Sequence, residues 1–255
     1  MVYKYEPLSQ NMSGLDNLGN TCYMNSVVQV LRYVKPVVLK LVKVVPENDG
    51  IRHFVDLLYQ GSKPQKFALC LKKFGFDPIY QHDAHEFLLT MLDKLYESVK
   101  LPNPFEGKST TTLTCKNGHT SVRTDPFVCL SINGGIEDGI PSLMEPEEVE
   151  CKCEKCEEKT MTKTLNIDPS DVVCIHFKRF NIDKKLRYKI PILQKWNGYD
   201  LVGMCNHTGG LNGGHYTATV KSDQGWMHIN DERVHKIDGL PKESRIPYIM
   251  VYVRQ

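Results

Sequence analysis

The sequence predicts an α+β fold in which the helices come first and the strands follow. Residues 15–100 carry apolar side chains at helical spacing, whereas the chain beyond Pro102 consists of short runs rich in Thr and Val, separated by Asn-Gly and Gly-Gly turns. This order is typical of segregated helical and β layers rather than of an alternating βαβ repeat. The length of 255 residues allows one large domain or two small ones.

Two amphipathic helices are predicted most clearly. The first has its apolar residues on one face between residues 23 and 34, and Pro36 ends that pattern. The second begins after Asp83, a suitable N-cap residue, and keeps one apolar face over residues 84–96. Shorter helical segments are predicted at Ile51–Tyr59 and Lys66–Phe74.

The strands are predicted from β-branched residues and from the turn residues between them. The segment 143–159 is dominated by Glu and Cys and is expected to be exposed hairpin surface. The predicted strands are Thr110–Thr114, Thr120–Thr124, Pro126–Ile132, Asp171–Phe180, Asp200–Cys205, His215–Val220, Trp226–Asn230 and Tyr248–Val253.

The composition excludes several classes of protein. With 32 Lys and Arg against 30 Asp and Glu, the net charge of +2 argues against a protein that covers a nucleic-acid backbone. Nine cysteines cannot all pair, and residues 1–14 lack the apolar run of a secretory signal, so reduced thiols and an intracellular location (cytoplasm or nucleus) are expected. The longest apolar stretch, 34–45, is interrupted by Lys and Pro, which argues against a membrane span.

Cys22 is a candidate nucleophile because of its position. The segment LDNLGNTCYMNS is a Gly- and Asn-rich turn followed at once by the first amphipathic helix, so Cys22 lies in the first helical turn. Free N–H groups and the helix dipole at that point favour the reactive thiolate. The alternative is a small buried hydrophobic residue at a helix start.

His215 is the candidate base for that nucleophile. The glycine-rich segment GGLNGGHY brings it to the start of a strand, and WMHIND ends the next strand with Asn230 and Asp231, either of which could accept a hydrogen bond from the imidazole. The separation of 15 positions between His215 and Asn230 suits two antiparallel strands joined by a turn at 221–225. The order Cys, His, Asn or Asp is that of papain-like proteases.

Six segments, taken in order, are similar to the ubiquitin-specific protease family of papain-like cysteine deubiquitinases. The resemblance extends from residue 14 to about residue 253. The segments are GLDNLGNTCYMNS at 14–26, QHDAHEFLLTMLDKL at 81–95, CEKC at 153–156, VCIHFKRF at 173–180, YDLVGMCNHTGGLNGGHYTA at 199–218 and WMHINDERV at 226–234.

The resemblance implies a thumb–palm–fingers architecture and a thiol-dependent hydrolase. It implies an N-terminal extension over 1–13 and one catalytic domain over 14–255, divided into a helical thumb (14–104), β-rich fingers with part of the palm (about 105–195) and the remaining palm (about 196–255). The implied reaction cleaves the peptide or isopeptide bond after the C-terminal Gly-Gly of ubiquitin, through a cysteine acyl-enzyme. The implied partners are ubiquitin, ubiquitinated proteins and a possible separate regulatory or targeting protein.

The resemblance also assigns the catalytic roles. Cys22 corresponds to the nucleophile, His215 to the general base and Asn230 to the third member, with Asp231 beside it as a possible substitute. Asn17 corresponds to the side chain that helps to stabilise the oxyanion. Such an amide N–H, held by a tight turn, adds to the backbone N–H of Cys22 as an oxyanion donor.

The substrate tail carries two arginines and ends in Gly-Gly, so its site needs acids and a narrow channel. Asp83 and Glu86 correspond to the acids, although they also fit an N-cap and a first-turn acid, and both roles can coexist. His82 departs from the more usual glutamine. The resemblance further assigns to the channel and its mobile loop Gln81, Tyr216, Gly209, Gly210, Gly213 and Gly214.

Cys153 and Cys156 form a Cys-x2-Cys knuckle, which is half of a tetrahedral zinc site. The resemblance places the other half near Cys115, where Gly118 stands in place of a second cysteine and His119 could be the fourth ligand. Cys151 is a competing ligand. The expected zinc is structural and would clamp two hairpin tips. The remaining cysteines fall in apolar patterns and are expected in the core: Cys70, Cys129, Cys174 and Cys205.

Three other functions remain open from the sequence. A non-catalytic ubiquitin-binding scaffold would need none of the four residues Cys22, His215, Asn230 and Asn17, and all four are present. A zinc-clamped interaction module without a ubiquitin role leaves the Cys22 turn and the Gly-Gly-His loop unexplained. A protease for another ubiquitin-like modifier is also possible, since several such modifiers share the Gly-Gly tail.

Overall fold

The structure, a computed structural model, describes residues 13–41, 44, 46–61, 63–180, 184–210 and 213–255. The predicted extension over residues 1–13 thus lies almost entirely outside the described residues. The α+β class predicted from the sequence is confirmed. The helices are α1 (Cys22–Arg32), α2 (Lys35–Leu41), α3 (Asp49–Gln60), α4 (Gln65–Ala68), a 3-10 turn (Leu71–Phe74), α5 (Ala84–Val99) and α6 (Ile136–Met144).

The strands follow α5, with α6 inserted among them. They are β1 (Gly107–Thr114), β2 (Thr120–Phe127), β3 (Cys129–Ile132), β4 (Glu147–Glu150), β5 (Thr160–Asp168), β6 (Val172–Phe177), β7 (Ile190–Pro191), β8 (Lys195–Trp196), β9 (Tyr199–Gly209), β10 (Gly214–Ser222), β11 (Gly225–Asn230), β12 (Arg233–Lys236), β13 (Glu243–Ser244) and β14 (Pro247–Arg254).

Local chemistry sets the helix boundaries. The Asn48 side chain caps α3 by accepting the N–H groups of Gly50 and Ile51, and Asp83 caps α5 as predicted. α1 ends before Pro36, but the chain then starts a second helix, α2, with Pro36 in its first turn. Proline is tolerated there because the N–H groups of a first turn have no helical partner.

The larger sheet carries the main core. Its strand order is β12-β11-β10-β9-β14-β6-β3, with β8 paired to β9, and all its pairs are antiparallel except β3–β6. α1 packs on β9 and β10, where Gly203 leaves room for the side chain of Val30. The buried side chains of the helices and of this sheet face form one apolar cluster, and a second cluster lies on the opposite face. The first turn of α1 is thereby held rigidly against the sheet.

The smaller sheet has the order β2-β1-β5-β4, and the chain leaves it for the larger sheet at Val128. The predicted single strand at 126–132 was therefore wrong, because Pro126 and Phe127 end β2 whereas residues 129–132 form β3. Pro126 is tolerated since β2 is an edge strand. The sequence analysis also missed α6, which contains Gly139 and Pro141, and missed β5.

No helix within the described ranges is both long enough and apolar enough to cross a membrane.

Candidate active site

Cys22 is the first residue of α1, as predicted, and its side chain is buried. The turn before it is fixed by two hydrogen bonds: the Thr21 N–H donates to Asn17 Oδ1 (3.1 Å), and the Leu18 N–H donates to Thr21 Oγ1 (2.9 Å). The Asn17 side chain is thus folded back onto the helix start. Its amide nitrogen remains available for other contacts.

The thiol of Cys22 is more weakly acidic than its position suggests. Burial raises its pKa, and the negative charge of Asp231 raises it further. The backbone N–H groups of Tyr216, Tyr23 and Cys22 itself act in the opposite direction, as the position at a helix start predicts, but burial outweighs them. A base is therefore needed to take the thiol proton.

His215, the predicted base, and Asn230, its predicted partner, lie on neighbouring strands within hydrogen-bond distance of each other. Their strands, β10 and β11, pair antiparallel through the predicted turn, and His215 Nε2 lies 2.7 Å from Asn230 Oδ1. Because an amide oxygen only accepts, Nε2 carries the proton and Nδ1 keeps the lone pair that can take a proton from a thiol. The next residue, Tyr216, directs its backbone N–H at the Cys22 sulfur, which places β10 against the start of α1.

Asp231 lies farther from the imidazole, with Oδ2 3.8 Å from His215 Nε2. Its two carboxylate oxygens instead accept hydrogen bonds from the side-chain amides of Asn17 (2.9 Å) and Asn25 (2.8 Å). Its backbone oxygen accepts from the Leu15 N–H (2.9 Å), and its φ of 49° is left-handed. Asp231 therefore fixes the turn before Cys22 to the end of β11.

Asn25 is a site residue that the sequence analysis missed. It is buried in α1, and its amide also donates to the backbone oxygens of Leu15 (3.3 Å) and Asp16 (3.2 Å). An amide residue about one turn after Cys22, directly after the apolar Tyr23 and Met24, is the signal that could have identified it, because buried amides require partners.

Asp83 has the N-cap role predicted from the sequence, and it also binds a residue of the larger sheet. Its Oδ1 accepts the N–H groups of His85 (2.7 Å) and Glu86 (3.0 Å), while Oδ2 accepts from the Tyr248 hydroxyl of β14. Three of the roughly four acceptor positions of the carboxylate are thus occupied. Glu86 lies three positions after Asp83, in the first turn of α5, and is exposed. Its side chain makes no hydrogen bond or ion pair to the described residues.

The glycine loop and the segment before α5 are joined by Gln81. Its side-chain amide accepts from the Gly214 N–H and donates to the Gly214 carbonyl, both at 3.1 Å. A Cβ on Gly214 would come within 2.1 Å of His207 Nε2, so only glycine fits directly before His215. Gly209 needs its left-handed φ of 103° to turn out of β9. Gly210 and Gly213 flank residues that lie outside the described part of the chain. Tyr216, also assigned to the channel, is buried.

His82 packs into the thumb. Its ring makes edge contacts with Tyr23 and Phe76, with centroids 5.3 Å apart in both cases, and its Nε2 lies 2.9 Å from the Asp77 carbonyl oxygen. The histidine at this position therefore shapes the loop that leads into α5.

A second cluster of functional side chains lies at the tips of the smaller sheet. Cys115 and His119 flank the turn between β1 and β2, and Cys153 and Cys156 lie between β4 and β5. Their four donor atoms lie within 4.8 Å of one another, as predicted for a metal site. Among the described residues this cluster includes His119 and not Cys151. The Cys151 thiol packs beside the cluster and has a hydrogen bond to the Lys152 carbonyl oxygen.

Three of the six distances between the donor atoms fit a tetrahedral ion. Cys115 Sγ lies 3.5 Å from His119 Nδ1 and 3.8 Å from Cys156 Sγ, and Cys153 Sγ lies 3.7 Å from His119 Nδ1. Around tetrahedral zinc, with Zn–S of about 2.3 Å and Zn–N of about 2.0 Å, such atoms lie about 3.5–3.8 Å apart. Hydrogen bonds from the Glu158 N–H, and from the Asn117 side chain, lower the pKa of Cys156 to about 6.

Comparison with known proteins gives one family. Residues 13–252 match the family model described as "Ubiquitin carboxyl-terminal hydrolase". Similar relatives include "Ubiquitin carboxyl-terminal hydrolase 7" of Drosophila melanogaster, 25% identical over 95% of this chain, and "Ubiquitin carboxyl-terminal hydrolase 12" of Salmo salar, 28% identical over 96%. The chain spans 27% of the length of the Drosophila protein and 90% of the Salmo protein.

Solved structures give the same fold. The Ubp8/Sgf11/Sus1/Sgf73 SAGA DUB module bound to monoubiquitin contains a chain that matches with a TM-score of 0.79 and 22% identity, over 99% of this chain and 70% of that one. A yeast SAGA DUBm with a mutant Sgf73 matches with a TM-score of 0.81 and 22% identity, over 96% and 68%. At this identity the likeness concerns the fold alone.

Proposed function

Because the chain belongs to the ubiquitin carboxyl-terminal hydrolase family, we propose that it cleaves the peptide or isopeptide bond after the C-terminal Gly-Gly of ubiquitin, with Cys22 as nucleophile. The observation that carries the proposal is the 2.7 Å contact between His215 Nε2 and Asn230 Oδ1, with the next residue, Tyr216, directing its backbone N–H at the buried Cys22 thiol. The names of the relatives support the reaction, and the ubiquitin-bound Ubp8 module supports the substrate.

The mechanism follows from the donors and acceptors at the site. His215 Nδ1 takes the proton of Cys22, and the thiolate attacks the carbonyl carbon of the terminal glycine. The backbone N–H of Cys22 and the second N–H of the Asn17 amide stabilise the oxyanion, since the first N–H is held by Asp231. The imidazolium then protonates the leaving amine, and water activated by His215 hydrolyses the thioester.

The experiment that tests this function uses ubiquitin with a thiol-reactive group at its C-terminus, followed by mass spectrometry. The expected result is one adduct per chain, located on Cys22. Binding without an adduct would favour the scaffold function. The absence of both binding and adduct formation would overturn the proposal. If an adduct forms only with a probe made from another ubiquitin-like modifier, that modifier and not ubiquitin is the substrate.

We further propose that Asp83 and Glu86 receive the arginines of the ubiquitin tail, as the resemblance implies. The exposed Glu86 carboxylate has no hydrogen bond or ion pair to the described residues that an arginine would have to displace, whereas Asp83 is partly engaged as the helix cap. We propose Gln81, Tyr216, Gly213 and Gly214 as the walls of the channel for the tail. The two hydrogen bonds between Gln81 and Gly214, which join the segment before α5 to the start of β10, support this proposal.

Glu86→Gln is expected to raise KM for a ubiquitin substrate about tenfold, because a charge-assisted hydrogen bond to arginine is lost. The value of kcat and the melting temperature should stay unchanged, since the side chain is exposed. Glu97→Gln is the matched control, as Glu97 is an exposed acid near the other end of α5. Equal KM values for the two variants would contradict the role of Glu86.

We propose that Cys115, His119, Cys153 and Cys156 bind a structural zinc ion. Their four donor atoms lie within 4.8 Å of one another, and three of the distances between them suit tetrahedral zinc. When bound, the ion would join the β1–β2 turn to the loop between β4 and β5. The local apolar cluster there is small, so the side chains alone contribute little to the stability of these tips. The ion would be held by loops of the smaller sheet, whereas Cys22, His215 and Asn230 lie on α1 and the larger sheet. It would therefore take no part in the proposed reaction.

Protein purified without chelator is expected to contain about one zinc ion per chain, measured by elemental mass spectrometry. Cys153→Ser should lose the zinc and lower the melting temperature by several degrees, because a ligand is removed. Cys151→Ser is the matched control, since Cys151 lies two residues away and outside the cluster. Full zinc content in the Cys153 variant, or loss of zinc in the control, would refute the assignment.

We propose the thumb (14–104), the fingers with part of the palm (about 105–195) and the remaining palm (about 196–255) as functional divisions of one catalytic domain. An intracellular location, in the cytoplasm or nucleus, is supported by nine unpaired cysteines. A separate regulatory or targeting protein is proposed as a partner, by analogy with the multi-subunit Ubp8 module.

A further inference from the structure

Two thiols outside the proposed active site and metal site meet where the fingers join the palm. Cys129 of β3 and Cys174 of β6 are direct partners in the parallel pairing of these strands, and their sulfur atoms lie 2.9 Å apart. Both are free cysteines. A disulfide needs Cα atoms within about 7 Å and side chains that converge. Neighbouring strands satisfy the first condition, and the sulfur contact satisfies the second.

The two thiols differ in their access to solvent. Cys129 is partly exposed, whereas Cys174 is 1% exposed, and burial raises the pKa of the Cys174 thiol. A small oxidant in solution therefore reaches Cys129 first, and Cys174 is placed to react with the product. The arrangement of one accessible cysteine beside a resolving cysteine is that of thiols that oxidise reversibly.

We propose that Cys129 and Cys174 form a reversible disulfide when the protein meets a peroxide. The Cys129 thiolate attacks one peroxide oxygen, the O–O bond breaks, and the products are a sulfenic acid on Cys129 and hydroxide, which takes up the thiol proton as water. The Cys174 sulfur then attacks the Cys129 sulfur, the S–O bond breaks, and a second water leaves with the Cys174 proton. Two thiols are oxidised, and one peroxide is reduced to two waters.

The position of the bond gives it a structural effect. β3 is the edge strand of the larger sheet and directly follows β2 of the fingers. Two positions further along, on the same face of β3 and β6, Ser131 pairs with His176, and Ser131 Oγ lies 2.9 Å from His176 Nδ1. The His176 ring stacks on His85 of α5. The disulfide would thus lock the base of the fingers to the palm beside α5. It would also close a long loop containing α6, β4 and β5, and closing long loops stabilises most.

The test uses full-length, zinc-loaded protein carrying Cys22→Ala, so that oxidation of the nucleophile cannot contribute. The protein is treated with limiting hydrogen peroxide, and then free thiols are alkylated and peptides are mapped without reduction. The parent protein is expected to lose about 2 Da and to yield the cross-linked Cys129–Cys174 peptide, both reversed by dithiothreitol. Its melting temperature should rise by several degrees on oxidation and return on reduction.

Added to that protein, Cys129→Ser should remove the cross-linked peptide and the reversible rise in melting temperature. Cys70→Ser is the matched control, because the Cys70 thiol has its hydrogen bond to the Lys66 carbonyl oxygen and is not part of the Cys129–Cys174 pair. Its loss should leave both readouts intact. The proposal is overturned if Cys129 oxidises to sulfinic acid while Cys174 stays free, if Cys129 pairs with another cysteine, or if the melting temperature rises equally in the Cys129→Ser protein. Because Cys22 is absent, the result is independent of the proposed hydrolase function.

Discussion

Replacing Cys22 with Ala is expected to lower the rate of ubiquitin hydrolysis by at least about 10⁴-fold. Without the thiol no acyl-enzyme can form, even though the base and the oxyanion donors remain. Binding of ubiquitin should persist, since the Cys22 side chain is buried at the start of α1 and the proposed tail residues are untouched. Turnover is measured with a fluorogenic ubiquitin substrate and binding by calorimetry.

Cys70→Ser is the control for general effects of removing a thiol. Cys70 belongs to the same helical lobe but follows α4, and it should keep full activity. The melting temperature of both variants is expected to lie within a few degrees of the parent, because each change removes or replaces one small side-chain atom. Substantial turnover by folded Cys22→Ala protein would refute the assignment of the nucleophile.

The sequence predicted the elements whose local signals and tertiary setting agree. α5 follows an Asp83 cap and carries one continuous apolar face, and both features are present in the structure. α6 was missed because Gly139 and Pro141 oppose helix formation, and the packing of Ile136 and Ile140 against β3 decides the outcome. Propensity is a weak guide wherever tertiary contacts override it.

The residues of the proposed catalytic triad could be singled out because each lies at a recognisable boundary: Cys22 at a helix start, His215 at a strand start and Asn230 at a strand end. The contacts of Asp231 were not, since its partners Asn17 and Asn25 precede it by 214 and 206 positions. The raised pKa of Cys22 was equally hidden, because a helix start predicts the opposite direction and only the fold determines the burial.

Asp231→Asn is expected to slow turnover and yet to speed the alkylation of Cys22 in the free enzyme. The carboxylate orients the Asn17 amide, and an amide in its place turns an N–H donor toward Asn17 or Asn25, so kcat should fall by up to about 10²-fold, the effect expected of Asn17→Ala itself. The Asp231 charge also raises the pKa of Cys22. Without that charge the pKa falls, the thiolate fraction at pH 7 rises, and iodoacetamide should react faster.

A double-mutant cycle separates this role from that of Asn230. If Asp231 acts through Asn17, combining Asp231→Asn with Asn17→Ala should cost no more than Asn17→Ala alone, whereas Asn230→Ala combined with Asn17→Ala should cost close to the product of the two single effects. If the double variant Asp231→Asn, Asn17→Ala instead loses kcat by the product of the two single losses, Asp231 acts independently of Asn17. Its role would then be on His215, whose Nε2 lies 3.8 Å from Asp231 Oδ2. Loosening of the fold would also expose Cys22 and lower its pKa, since burial is the main cause that raises it. A positioning role for Asp231 therefore also requires that the melting temperature and the alkylation rate of the buried Cys70 stay unchanged in Asp231→Asn.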